Sequence, residues 1–278
     1  MRIRASCISL IAVISLMGAP VMADGLGSTP PLPDDGVGAP VRISAGYSSS
    51  VLVFRVGTIV LNADITETDY RADVTIRAAG LASLFSDLDL RANVEGHLTP
   101  AGPVPVHYGH NETTPSKTRL LDVDFTENVA LAHADPPFGS LGIPPASTAD
   151  RTGVLDPMTA FFALSETLAM GERAACEGRV PVFDGKQRYN LRLEPGGREQ
   201  IRTRAWSGEA SVCRAWYEPV SGYDPEDYPT EAEMRRPLTI WLAPLLDGQL
   251  QLPVRIYTRA GLGGVTIEAK TIELEELE

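Results

Sequence analysis

Alternation of apolar and polar residues with period two limits what this chain can fold into more than any other feature. Tyr70, Ala72, Val74, Ile76 and Ala78 share one face of an extended segment, and Arg71, Asp73, Thr75 and Arg77 share the other. Leu88, Leu90, Ala92 and Val94 alternate in the same way with Asp87, Asp89, Arg91, Asn93 and Glu95. Tyr189, Leu191 and Leu193 oppose Arg188, Asn190 and Arg192, while Val265, Ile267 and Ala269 oppose Thr266, Glu268 and Lys270. Successive side chains of a strand point to opposite faces, so each segment has one dry and one wet face. That is the pattern of an antiparallel sheet packed on one side only. Weaker strand patterns cover 51–61, 119–125, 179–183, 199–206, 211–217, 238–242 and 253–258. Asp184-Gly185 predicts a two-residue hairpin turn. Pro195-Gly196-Gly197 and 261–264 predict further reversals, and 135–145 and 221–237 predict long irregular loops.

One segment breaks the period. Asp156-Pro157 pairs a capping residue with proline at the first helical position, which predicts a helix running to about residue 170. Met158, Phe161, Phe162 and Ala169 lie along one side of it, and Ala160, Leu164 and Leu168 along another. A helix this apolar around its circumference has to be covered on most sides. The abundant cover in this chain is the dry face of its strands. The expected fold is therefore mainly β, with one central helix. A long antiparallel sheet curls as a half-barrel or spiral barrel around that buried helix. A short second helix is expected at 81–85.

The N-terminus sets the compartment. Arg2 and Arg4 precede an uncharged apolar run at 8–18, and Val21-Met22-Ala23 supplies small or compact residues. That order predicts a secretory signal peptide over 1–23, cleaved after Ala23. Cys7 lies before the apolar run and cannot serve as a lipid-attachment cysteine at the cleavage point. The expected product is periplasmic, unlipidated and without a membrane span. Residues 24–42 are rich in Gly, Pro and Asp and predict a disordered leader. A single barrel-like domain is expected over 43–273, followed by an acidic tail over 274–278. Cys176 and Cys213 predict a disulfide, because an exported chain meets oxidising conditions. The formal net charge of −12 argues against nucleic acid and against anionic lipid headgroups as general partners.

No G-x-S-x-G, S-x-x-K, H-E-x-x-H, phosphate-loop or C-x-x-C motif occurs, so no catalytic residue and no cofactor is assigned. His107-Tyr108-Gly109-His110 with Glu112 reads as a polar loop; in extended chain its two histidines would point apart. The acids of 223–228 lack the spacing of a calcium loop. Aromatic residues are the remaining candidates. Phe161 and Phe162 on the helix, with Tyr189, Trp206 and Trp241 on strands, are the expected lining of an apolar cavity.

Several segments taken together resemble a known family. They are 154–157 leading into the helix, 182–189, Trp241-Leu242-Ala243-Pro244, 253–256 and the turn at 261–264. As a set they resemble the proteobacterial envelope family named domain of unknown function 3108. The resemblance implies an exported protein, with an architecture similar to the curled sheets of the LolA/LolB lipoprotein carriers. It assigns no catalytic residue. The function expected is non-enzymatic, binding a lipid, an acylated ligand or an envelope protein partner. Two other readings stay open: a hydrolase acting on cell-wall or glycan material, and a structural envelope-integrity protein.

Overall fold

The computed structural model describes residues 40–80, 83, 88–114, 117–165, 176–248, 250–260 and 263–277. The expected signal segment, leader residues 24–39, most of the expected helix at 81–85 and the helix beyond 165 lie outside the described residues. Thirteen strands form one sheet. They are β1 (Val41–Val51), β2 (Phe54–Ile65), β3 (Asp69–Ala78), β4 (Asp89–Thr99), β5 (Gly102–Thr114), β6 (Lys117–Thr126) and β7 (Val129–Asp135), followed by β8 (Gly178–Phe183), β9 (Arg188–Arg202), β10 (Ser207–Ser221), β11 (Leu238–Leu245), β12 (Leu250–Ala260) and β13 (Gly263–Glu276). Helix α1 (Pro157–Ser165) lies between β7 and β8, and α2 (Glu231–Met234) between β10 and β11.

Every neighbouring pair is antiparallel. Two meanders, β1–β7 and β8–β13, join where β1 pairs with β13, leaving β7 and β8 as the outer edges. Those edges are drawn together by the segment that links them. Ala130 N–H donates to the Arg151 carbonyl at 2.9 Å, and Gly153 N–H to Asn128 at 2.9 Å. On the other side Leu155 N–H donates to Pro181 at 2.9 Å, and Phe183 N–H to Leu155 at 2.8 Å. Residues 151–155 thus act as a surrogate strand that turns the curled sheet into a nearly closed barrel. An unpaired strand edge invites pairing with another chain, and this seam covers part of each outer edge through single bridges at Val129 and Val182.

The wet faces carry rows of opposite charge in register. Arg42–Asp64 at 2.7 Å, Arg71–Glu95 at 2.7 Å and His107–Asp124 at 2.9 Å fall on one row across β1 to β6. Exposed pairs of this kind add little stability each. Their effect is to keep the outside of the barrel hydrated.

The dry faces meet α1. The helix touches β4 and β5 on one wing and β8 and β12 on the other, which places it inside the barrel. Its two sides serve two core clusters. Phe162 joins the cluster of Ile43, Leu61, Tyr70, Val94, Leu121 and Val254, while Ala160 and Leu164 join that of Val182, Tyr189, Tyr217, Ile240 and Leu242. Tyr70 Oη and Thr159 Oγ1, both buried, share a hydrogen bond of 2.7 Å, and the Tyr70 and Phe162 rings stand 5.3 Å apart. The helix starts where Asp156 Oδ1 accepts the backbone N–H groups of Met158 and Thr159 at 2.8 and 2.9 Å. The disulfide between Cys176 and Cys213, with Cα atoms 5.6 Å apart, ties the segment after the helix to β10.

Several expectations need correction. Pro195-Gly196-Gly197 is not a reversal but the interior of β9. One extra residue is absorbed as a bulge, since Arg198 pairs with Ser211 and Pro195 with Cys213, and Gly197 takes φ +82°. The reversal comes at 203–206, where Thr203 N–H donates to Trp206 O at 2.8 Å. Trp206 therefore sits in a turn rather than on a strand. The expected strand over 51–61 contains a hairpin tip at 52–53 and is divided between β1 and β2. The histidine segment at 107–110 is strand, not loop. Residues 274–276 are not a free tail: they extend β13 against β1, with Glu276 opposite Val41, although their side chains stay solvated. Val41 and Arg42, expected in the leader, begin β1 for the same reason.

The loop 140–144 is latched onto the end of β10 by two backbone hydrogen bonds, Gly222 N–H to Pro144 O at 2.9 Å and Ile143 N–H to Tyr223 O at 2.8 Å. Gly222 has φ +85°, and a Cβ there would meet the Lys186 carbonyl oxygen at 2.0 Å. Gly222→Ala should therefore cost about 2 kcal/mol or more of stability, read as a lower midpoint in urea unfolding. An unchanged midpoint would contradict the latch.

Candidate functional site

The inner face is not equally dry along its length. In β2 Leu61, Ala63 and Ile65 are buried, but Ile59 is partly exposed. In β3 Tyr70 and Ala72 are buried, whereas Val74, Ile76 and Ala78 are partly exposed. In β4 Val94 and Ala92 are buried and Leu90 is not fully covered. In β13 Ala269 is buried, and Ile267 and Val265 are partly exposed. The gradients of β3, β4 and β13 run the same way in register, while in β2 Gly57, beyond Ile59, is buried again against Ser49 of β1. Ile59 opposes Ile76, Ile76 opposes Leu90, and Val265 opposes Val51. This end carries the β1–β2, β3–β4 and β12–β13 connections. This end of the barrel thus has a mouth with a partly exposed aliphatic rim on β2, β3, β4 and β13, bounded by buried Ser49 on β1 and by inward-facing Glu112 on β5. Ile59, Val74, Leu90 and Ile267 pack against the same core cluster as Met158 and Phe161 of α1, so apolar surface is continuous from the mouth to the helix.

Four of the five aromatic candidates share one core cluster, and the fifth lies in the other. Phe162 is buried in the larger cluster, with Phe161, Trp206 and Trp241 partly buried against it. Tyr189 belongs to the smaller cluster, stacked 4.6 Å from Tyr217. Trp241 turns its polar edge outward: Nε1 donates to Glu199 Oε2 at 2.8 Å, and the Arg255 guanidinium lies 6.0 Å from the ring centroid. The sequence identified the mouth residues only as members of a dry face. Their position next to turns was the available signal.

Buried polar groups cluster at the start of the helix. Asp156 is fully buried, and its second oxygen, Oδ2, has no hydrogen-bond partner among the described residues. Burial pushes its carboxyl up to about 6, against the hydrogen bonds from Thr159 and Met158 that favour the ionised form. Asp184 is pushed up too, by burial, while the backbone N–H groups of Lys186 and Gln187 oppose the shift. Both acids are spent on backbone caps: Asp156 on the helix, Asp184 on the β8–β9 turn. Burial likewise raises Tyr108, Tyr189, Tyr217 and Tyr223 above the ordinary phenol range, so all four stay neutral donors.

An open cleft of about 430 Å³ lies away from the mouth, near the β2–β3 turn, with Asp64, Asp69, Arg71, Glu95 and His97 among its lining. Its acids are engaged. The side-chain hydrogen bond from Arg42 holds Asp64 below the usual carboxylate range. Those from Thr68 and then His97 do the same for Asp69. Carboxyls held low are poor proton donors near neutrality, whereas glycoside chemistry requires one partner to donate. Among the described residues no group of three or more His, Cys, Asp or Glu is placed to hold a metal ion.

Comparison with known families places the chain. The family described as "Protein of unknown function (DUF3108)" matches residues 42–270, nearly the whole sheet. The chain belongs to that family. No curated protein matches the chain. Among solved structures, this DUF3108 chain is similar to a β-barrel-like protein of domain of unknown function DUF1849 from Brucella abortus. The two are 9% identical with a TM-score of 0.51, and the match covers 85% of this chain and 98% of that one. At that identity the likeness concerns the fold alone. No helix among the described residues is long and apolar enough to cross a membrane.

Proposed function

We propose that this DUF3108 protein is a non-catalytic, periplasmic binding protein that takes an apolar chain, such as the acyl group of a lipid or acylated ligand, into the mouth of its barrel. The observation that carries the reading is the set of inward-facing, partly exposed aliphatic residues Ile59, Val74, Ile76, Leu90 and Ile267. Inward-facing apolar surface left near water is where a long, thin apolar ligand gains most from burial, about 0.8 kcal/mol per methylene. The row of Ile59, Ile76 and Leu90 continues onto β5 at Glu112, with His110 one step deeper opposite Ala92, so the aliphatic lining ends in polar side chains on that wing. The disulfide supports export to an oxidising compartment.

A fluorescent fatty acid titrated into the purified protein tests this. Wild type should bind it with enhanced emission. Ile76→Asp and Leu90→Asp should each weaken binding at least about ten-fold, because a carboxylate facing the chain has to be desolvated. Thr75→Asp, on the wet face beside them, should leave affinity unchanged. Equal affinity across all three variants would overturn the reading.

A further inference from the structure

We propose that the β1–β2 hairpin tip docks the barrel onto the surface of a lipid bilayer. At the tip Leu52 is 59% exposed, Val53 86% and Phe54 54%. Hairpin turns that need positive φ ordinarily use Gly, Asn or Asp. Here Leu52 takes φ 55°, a region costly for a branched apolar side chain. The chain therefore sets a conformational cost beside three exposed apolar side chains, where a Gly or Asn turn would avoid both. The tip is held firmly. Leu52 N–H donates to Gly264 O at 2.8 Å, and the Leu52 side chain lies where a Cβ on Gly263 would stand, 2.4 Å from Leu52 Cδ2. Val53 and Phe54 are left to project.

Charge selects the occupant. Arg55 follows the tip on β2, and Arg259, opposite Gly264, lies at the same end on β12, with β13 between it and β1; both are exposed, and neither has an ion pair among the described residues. Most other arginines on the wet faces are paired, as Arg42, Arg71, Arg77, Arg91, Arg179 and Arg198 are. One unpaired guanidinium next to the apolar tip and a second at the same end of the barrel suit anionic headgroups above acyl chains. Three apolar side chains are too few for a stable protein interface, which buries on the order of 1,200 Å² or more. They are enough, with the two cations, for reversible attachment to lipid. The net charge of −12 does not prevent this, because charges beyond about 10 Å are largely screened at 0.1 M salt. The tip lies at the same end as the mouth, so docking would present the mouth to lipid. Docking of this kind requires no ligand in the mouth.

Co-sedimentation with sucrose-loaded vesicles tests it, using the chain as processed on export by the expressing cell. Wild type should pellet with vesicles of phosphatidylethanolamine and phosphatidylglycerol. The pair Val53→Ser and Phe54→Ser should cut the bound fraction at least about ten-fold at unchanged melting temperature, since both side chains already face water. Arg55→Glu with Arg259→Glu should reduce binding to these vesicles but not to phosphatidylcholine vesicles. Fatty-acid affinity without vesicles should be unaffected by the tip pair, which separates docking from the mouth's own binding. Wild type remaining in the supernatant, or the serine pair sedimenting as wild type does, would overturn the proposal.

Discussion

Asp156→Asn should make the protein more stable at pH 8, by about 3 kcal/mol at most, and change little at pH 4. The sign follows from proton binding. The folded-state carboxyl titrates at about 6, above its ordinary value near 4, because burial penalises its charged form. Between those values the folded state holds more protons than the unfolded one, so stability falls as pH rises through the window and the loss is complete above the folded value. A separation of about two pH units between the folded and unfolded values is worth about 3 kcal/mol. Asparagine keeps the oxygen that accepts from Met158 and Thr159, and it caps as well as aspartate does. It also replaces the buried, unpartnered Oδ2 with a neutral amide. Asp156→Ala should behave differently, losing the cap at every pH for about 1 kcal/mol while still removing the buried charge at high pH. Urea midpoints at pH 4 and 8 read all three proteins. Asparagine less stable than wild type at pH 8 would show that the charge is compensated.

Removing the Cys176–Cys213 bond should cost about 4 kcal/mol, the chain-entropy value for a closed loop of this length. A sequence separation of 37 residues is spanned, and Cys213 is fully buried in the cluster that receives Ala160 and Leu164. The bond therefore anchors Cys176, just ahead of β8, to the β10 wall in the cluster that receives the helix. The variant with alanine at both positions should unfold at a lower urea concentration and be insensitive to reductant, while reductant should shift wild type to near the variant's midpoint. A wild-type midpoint that does not move under reductant would contradict this role.

Much of the architecture can be read from residue order, because period-two alternation and an unamphipathic helix permit few arrangements. Ala160 and Leu164 face one core cluster and Phe162 the other, the two sides that helical spacing assigns them. What escaped the sequence has physical causes. Leu52-Val53 is apolar and reads as strand, so the hairpin tip was hidden. Pro195-Gly196-Gly197 has the composition of a turn, yet one extra residue in a long antiparallel pair is accommodated more cheaply by a bulge. The charges of 273–276 suggest a free tail, but backbone pairing with β1 does not depend on side-chain polarity. The seam at 151–155 has no periodic signal, since it pairs through isolated bridges at Thr152 and Leu155 rather than a regular ladder. The mouth was invisible for a further reason: alternation tells which face a residue takes, not how far along the barrel the cover extends.

Native mass spectrometry of the protein, recovered gently from the envelope fraction, tests the central claim most directly. A barrel whose mouth holds an apolar chain should carry an additional mass that fragments as a lipid or acylated molecule, and Ile76→Asp should lack it. Wild type and Ile76→Asp both flying at the bare chain mass, from an extract in which the barrel is folded and its disulfide intact, would contradict the account.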